Sequence, residues 1–166
     1  MDTLLKYFEP DQKIVTLLAK GLHCHPLLAT LLSARGIISI DDARFFLNPN
    51  FENLIDPFLI KDMKRAVERI FTAVENKEKI LVFGDFDADG VTATALLSGF
   101  LEYCDANVSW YIPHRIKEGY SLQIDHIQMA IDQEIDLIIT VDCGVSNHEA
   151  VQKANLEDID VIITDH

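Results

Sequence analysis

A chain of 166 residues carries material for one full domain, or for one domain with an appendage. Its 49% hydrophobic and 25% charged residues are those of an ordinary soluble globular protein, and no apolar run approaches the roughly 18 residues that cross a bilayer. The net charge of −13 counts against nonspecific nucleic-acid binding by this stretch alone, because neutralising phosphate takes Lys and Arg.

The N-terminus, Met1-Asp2-Thr3-Leu4-Leu5-Lys6, places an acid early and lacks an apolar core with a cleavage site, so no signal peptide is expected. Three cysteines, Cys24, Cys104 and Cys143, are an odd number without metal-type spacing, which fits a reduced, cytoplasmic protein without membrane contact. Residues 1–78 read as a small helical N-terminal region. Leu17-Leu18 and Leu27-Leu28-Leu31-Leu32 recur at helical spacing, and Ser39 stands as N-cap before Ile40-Asp41-Asp42-Ala43. Asn48-Pro49-Asn50 and Asp56-Pro57 signal turns. Met63, Val67, Ile70, Phe71 and Val74 then mark one face of an amphipathic helix ending near Asn76-Lys77. His23 and His25 flank Cys24, and with no fourth ligand nearby the trio reads as surface and packing.

From residue 79 to residue 166 strand and helix alternate. Strands are expected over Ile80–Phe83, Val108–Ile112, Leu137–Val141 and Asp160–Thr164. Helices are expected over Val91–Tyr103, with Val91, Ala95, Leu96 and Phe100 inward, over Leu122–Gln133 and over Asn147–Ala154. Continuous apolar strands joined by helices imply an α/β fold, a parallel β-sheet flanked by helices on both faces. Right-handed crossovers bring the carboxyl ends of such strands to one edge, where ligands bind.

That edge is acidic. The first strand runs into Gly84-Asp85-Phe86-Asp87-Ala88-Asp89-Gly90, the third into Asp142-Cys143-Gly144, and the fourth into Asp165-His166. A single Asp after a strand is most often a turn former or helix cap, and Asp89 before Gly90 would fit that role alone. Three acidic strand ends together point instead to one shared metal site, because crowded carboxylates repel and hard oxygen donors with one imidazole suit Mn²⁺ or Mg²⁺. Cys143 reads as a small buried residue rather than a nucleophile, since no His or Lys adjoins it. The segment Trp110–Ser121 follows the second strand and faces the same edge. Arg115 and Lys117 could take phosphate, and Tyr111 and Tyr120 could stack on bases; a solvated basic loop with aromatic packing is the plainer alternative.

At these residues the chain resembles the DHH phosphoesterase superfamily. Gly84–Thr92 resembles its first motif, Val141–Gly144 its second, and Thr164-Asp165-His166 the opening of its Asp-His-His motif, with the sequence stopping before the second His. Leu32–Ile37, Phe46–Pro49, Ile112–Arg115 and Glu118–Tyr120 resemble the superfamily's single-stranded-DNA-specific exonucleases. The resemblance implies a two-metal phosphodiesterase using Mn²⁺ or Mg²⁺ that degrades single-stranded DNA 5′→3′ in recombination and repair. Asp85, Asp87 and Asp89 would be its first-motif acids, Asp142 a bridging ligand and His166 a direct ligand. Asp165 would orient its neighbours, and Arg115 would hold substrate phosphate. Catalysis would rest on Asp87, Asp142, Asp165 and His166, with a single-strand-binding protein and a helicase as partners.

The resemblance also implies that residues 79–166 are the first part of a larger catalytic domain, truncated at the third motif and inactive alone. Phe83 stands where many relatives carry a metal-binding His, and Ser121 where a Gly is common. Two other readings stay open: a small-substrate phosphoesterase of the same superfamily, acting on oligoribonucleotides or cyclic dinucleotides, and a non-catalytic metal-binding or interaction module.

Overall fold

The computed structural model describes residues 9–166, so the signal-peptide expectation for the first residues lies outside the described part. The chain forms two compact units, Met1–Leu59 and Ile60–His166.

In the first unit three short helices, α1 (Gln12–Leu22), α2 (Pro26–Ala34) and α3 (Ile40–Leu47), are followed by 3-10 turns at Phe51–Asn53 and Pro57–Leu59. Each helix starts on a side chain that takes up a free amide. Asp11 accepts from Lys13 N at 2.8 Å, His25 Nδ1 from Leu27 N at 3.1 Å, and Ser39 Oγ from Asp42 N at 3.0 Å. The Ser39 cap is the one expected from sequence. His25 caps α2, while His23 ends α1 in the left-handed conformation, so the His-Cys-His trio is local structure. Val15, Leu18, Ala29, Leu32 and Ala43 make the core of this unit.

The second unit opens with α4 (Met63–Glu75) and continues as β1 (Lys79–Gly84), α5 (Ala88–Tyr103), β2 (Asn107–Tyr111), α6 (Ile124–Asp132), β3 (Leu137–Val141), α7 (His148–Leu156) and β4 (Asp160–Thr164). All strand pairs are parallel and the order is β2-β1-β3-β4. β1 and β3 are central and almost wholly buried, which is why they are continuous apolar runs. Alternate residues feed two cores. Ile80, Val82, Leu137, Ile139 and Val141 pack with Ala73 and Leu101 from α4 and α5. Leu81, Phe83 and Ile138 pack with Ile127, Ala130, Ala150 and Ala154 from α6 and α7. Each fully buried large side chain contributes about 1.5–3 kcal/mol, so the sheet centre is the most strongly held part of the unit.

Two expectations need correction. The compact units divide after Leu59 rather than at 78/79, because α4 lays Ile70, Ala73 and Val74 on the core beneath β1 and β3. Helix α5 turns inward not Val91, Ala95, Leu96 and Phe100 but Gly90, Thr94, Ser98 and Leu101. The two hydroxyls can be buried because each donates to the carbonyl one turn back, Thr94 Oγ1 to Gly90 O and Ser98 Oγ to Thr94 O, both at 2.7 Å. Small residues let α5 sit close on β1. A methyl at Gly84 would collide with the Thr94 hydroxyl, and one at Gly90 would lie 2.5 Å from the carbonyl oxygen of Asp85.

The order of strands sets the place of the site. The chain leaves β1 for β2 on one side and then crosses to β3 on the other, so the β1/β3 carboxyl ends are the switch point of the sheet. Register is level there, Gly84 pairing with Val141 and Val141 with Thr164. The next residues, Asp85, Asp142 and Asp165, therefore leave the sheet side by side.

Candidate metal centre

Asp85 comes straight off β1 and is only 4% exposed. Two residues on, Asp87 is the N-cap of α5: its Oδ1 accepts from the amides of Asp89 and Gly90, both at 3.0 Å. The capping role that sequence allowed for Asp89 thus belongs to Asp87. Asp89 sits exposed in the first turn, where a negative charge suits the helix dipole. Asp142 leaves β3 with φ +60°, a left-handed backbone that Asp tolerates better than most residues and that turns the chain back over the sheet edge. Carboxylate oxygens of Asp85, Asp87 and Asp142 lie within 4.8 Å of one another. His166 Nε2 stands 3.5 Å from Asp142 Oδ1.

The electrostatics of this group call for a cation. Among the described residues none of the three acids forms an ion pair with Lys or Arg, and Asp85 Oδ1 is buried with no hydrogen-bond donor. A buried carboxylate oxygen without a donor is costly, and a divalent ion is the partner that hard, crowded oxygens accept. Desolvation, then the charges of Asp87, Asp89 and Asp85, push the Asp142 carboxyl above its ordinary range, against the pull of His166. The residues present fit an oxygen-ligated divalent metal.

Asp165 serves the frame. Its Oδ2 accepts from Val145 N and its Oδ1 from His166 N, each at 2.9 Å, which ties the loop after β3 to the end of β4. Cys143 is fully buried, with Sγ 3.8 Å from Phe83 O. Burial, then the acids Asp85, Asp165 and Asp142, push its thiol up to about 12, so it stays protonated and unreactive at neutral pH. Phe83 is also fully buried, stacked on Tyr111 at 5.9 Å and tilted against His126 at 4.9 Å. The side chain just before the aspartate run is thus part of the core.

The end of β2 and the loop after it divide their aromatic residues between two jobs. Tyr111, expected as a base-stacking residue, packs instead on Phe83 and His126, and its hydroxyl donates to Glu118. Tyr120 is 57% exposed and edge-on to Phe86 at 6.2 Å. Desolvation, then the charges of Asp85 and Asp165, raise its phenol above the ordinary value. The guanidinium of Arg115 lies 5.1 Å over the Phe86 ring. Lys117 is exposed on the same loop. Sequence reading missed Phe86, although its position between Asp85 and Asp87 carried the signal: an aromatic residue inside an aspartate run has no role in binding metal. Ser121 takes φ +67°, a left-handed geometry that Gly would adopt without strain.

Residues 79–166 match the DHH family, N-terminal domain. The single-stranded-DNA-specific exonuclease RecJ of Bacillus subtilis (strain 168) is 42% identical over 157 residues, which cover 95% of this chain and 20% of that protein. A crystal structure of exonuclease RecJ bound to manganese is similar with TM-score 0.61 and 37% identity, over 64% of this chain and 27% of that one. The crystal structure of RecJ from Thermus thermophilus in complex with Mn²⁺ gives TM-score 0.67 and 27% identity, over 95% of this chain and 21% of that one. The chain thus spans about a fifth of the length of the relatives it matches. No helix among the described residues is long and apolar enough to cross a membrane.

Proposed function

The chain belongs to the DHH family, and on that footing we propose that it is the N-terminal part of a metal-dependent 5′→3′ exonuclease acting on single-stranded DNA in recombination and repair. The observation that supports this most is the meeting of Asp85, Asp87 and Asp142 within 4.8 Å, with Asp85 Oδ1 buried and lacking a donor. Relatives that are single-stranded-DNA-specific exonucleases, solved with manganese, support it further. Asp85, Asp87, Asp142 and His166 would hold Mn²⁺ or Mg²⁺. A bound ion of this kind supplies a water of lowered pKa and a clamp on the phosphoryl oxygens.

The protein's own residues do the rest. Asp165 fixes the two loops that carry Asp142 and His166. Arg115 grips a phosphate through its planar donor fork, giving locally the positive charge that the chain lacks overall. Tyr120, braced by Phe86, stacks on a base. Single-stranded DNA arises where duplex is opened, so a helicase and a single-strand-binding protein are the partners of this reading. Its place is the cytoplasm, which agrees with three cysteines that form no disulfide.

The test is digestion of a 5′-phosphorylated single-stranded oligonucleotide by the complete polypeptide in Mn²⁺. Asp142→Asn keeps a residue that tolerates the left-handed backbone and removes the charge. It should lower the rate more than about 100-fold, the upper end of what losing a supporting residue costs. Undiminished turnover, release from the 3′ end, or preference for dinucleotides over the long strand would overturn the proposal.

A further inference from the structure

Glu118 lies on the loop to which the proposed function assigns phosphate binding, where a carboxylate ought to repel substrate. Both its oxygens are occupied. Oε1 accepts from the Tyr111 hydroxyl, and Oε2 accepts from His114 N at 2.5 Å. The segment it closes is a single tight turn, in which the amides of Lys117 and Glu118 both donate to His114 O, at 3.0 and 2.9 Å. Arg115 sits inside that turn, its guanidinium over Phe86 of the aspartate run. Tyr111 is anchored in turn on the buried Phe83 ring.

A continuous line of contacts therefore runs from the sheet core through Tyr111 and Glu118 to the turn that carries Arg115. Among the described residues Glu118 makes no ion pair with Arg115, so it leaves the guanidinium's donors free. Its carboxyl is held below the ordinary range by the Tyr111 hydroxyl first and the His114 amide second, so it stays charged at neutral pH and keeps both bonds.

We propose that Glu118 is a positioning residue, which with Tyr111 as its footing fixes the turn 114–118 and so presents Arg115 to a phosphate beside the acidic centre. This rests on the proposed function for Arg115's role, and adds what holds it in place. Preorganisation of this kind removes the ordering cost from each binding event.

The test is binding of 5′-dTMP, a ligand that cannot turn over, to the complete polypeptide in Mn²⁺ by calorimetry. Arg115→Ala should weaken binding about tenfold, the effect of one charge-assisted contact at a solvated site. Glu118→Ala should weaken it by a similar factor, Tyr111→Phe by less, and Glu118→Gln should recover part of the loss. Glu118→Ala in the Arg115→Ala background should add nothing, since the two act as one unit. Mn²⁺ binding without nucleotide should be unchanged in all of them.

A Glu118→Ala effect that persists undiminished without Arg115, or an unaltered affinity in Glu118→Ala beside a weakened Arg115→Ala, overturns the inference alone. Unchanged affinity in Arg115→Ala overturns the phosphate assignment and the inference with it. Failure of the wild type to digest DNA would strike the proposed activity, while the Glu118–Arg115 coupling in dTMP binding would still uphold the inference.

Discussion

Two glycines of one helix should respond to the same substitution with opposite signs. In α5, Gly90 faces the exit of β1, and a Cβ there would lie 2.5, 2.6 and 2.7 Å from the carbonyl oxygen, amide nitrogen and carbonyl carbon of Asp85. These are backbone atoms of the buried residue that directly follows β1 and cannot swing aside, so Gly90→Ala should cost about 3 kcal/mol, the upper end of overpacking. For a unit of this size that lowers the melting temperature by roughly 12–15 °C. Gly99 has no atom within 4 Å of such a Cβ and is exposed, so Gly99→Ala only gains helix propensity. That gain is about 0.8–1 kcal/mol, or roughly 4 °C upward. The single tryptophan, Trp110, sits on β2 and reports the melting of the sheet by fluorescence. If Gly90→Ala melts with or above the wild type, the close approach of α5 to Asp85 is not what holds this end of the sheet.

Three further outcomes follow from the same geometry. Asp87→Ser should keep the cap and melt near the wild type, whereas Asp87→Ala should lose about 1 kcal/mol in denaturant unfolding; calorimetry should find Mn²⁺ binding lost in both. His126 is buried, and its desolvation holds the imidazole below the ordinary value of 6.5, against the charges of Glu118 and Asp125. The unfolded chain therefore binds the proton first, so this contribution is present above 6.5 and is lost as the pH falls below it. The urea midpoint should drop between about pH 7 and pH 5.5, and His126→Leu should flatten the slope. A maleimide dye applied to the native protein near pH 8 should label the exposed Cys104 but leave Cys143 untouched until the fold is opened, as mass spectrometry of peptides will show.

Strand ends were legible because the same physics writes both pattern and placement. A buried parallel strand must be an apolar run that stops where the chain meets charge, and β3, wholly buried and followed by Asp142, was bounded to the residue for this reason. The acids at 85, 142 and 165 could then be put on one edge without knowing which strands are neighbours. Burial inside α5 was not legible. Hydrophobicity favours Leu96 and Phe100 over Thr94 and Ser98, but the first turns of the helix lie so close to the end of β1 that small side chains face it, and their hydroxyls are satisfied within the helix.

Nor could sequence separate Tyr111 from Tyr120. Both belong to the segment that leaves one strand, and only the pairing of Phe83 with Tyr111 across β1 and β2 commits the first to packing. The division of labour among the aspartates was hidden for a similar reason. Capping by Asp87 depends on where α5 begins, and one residue's shift would have handed it to a neighbour.

Asp87 ends a helix and faces a charge cluster with the same side chain. Its rotamer is locked by two amides before any ion arrives, so an ion that binds here meets a donor whose torsional freedom was surrendered during folding. The two events are thereby thermodynamically linked. Whatever frays the first turn of α5, whether heat, denaturant or a distant packing defect, would loosen the grip on the ion, and an ion once held would suppress that fraying in return. Hydrogen exchange at the amides of Asp89 and Gly90 would then serve as a gauge of occupancy, read from the backbone of the helix rather than from the metal.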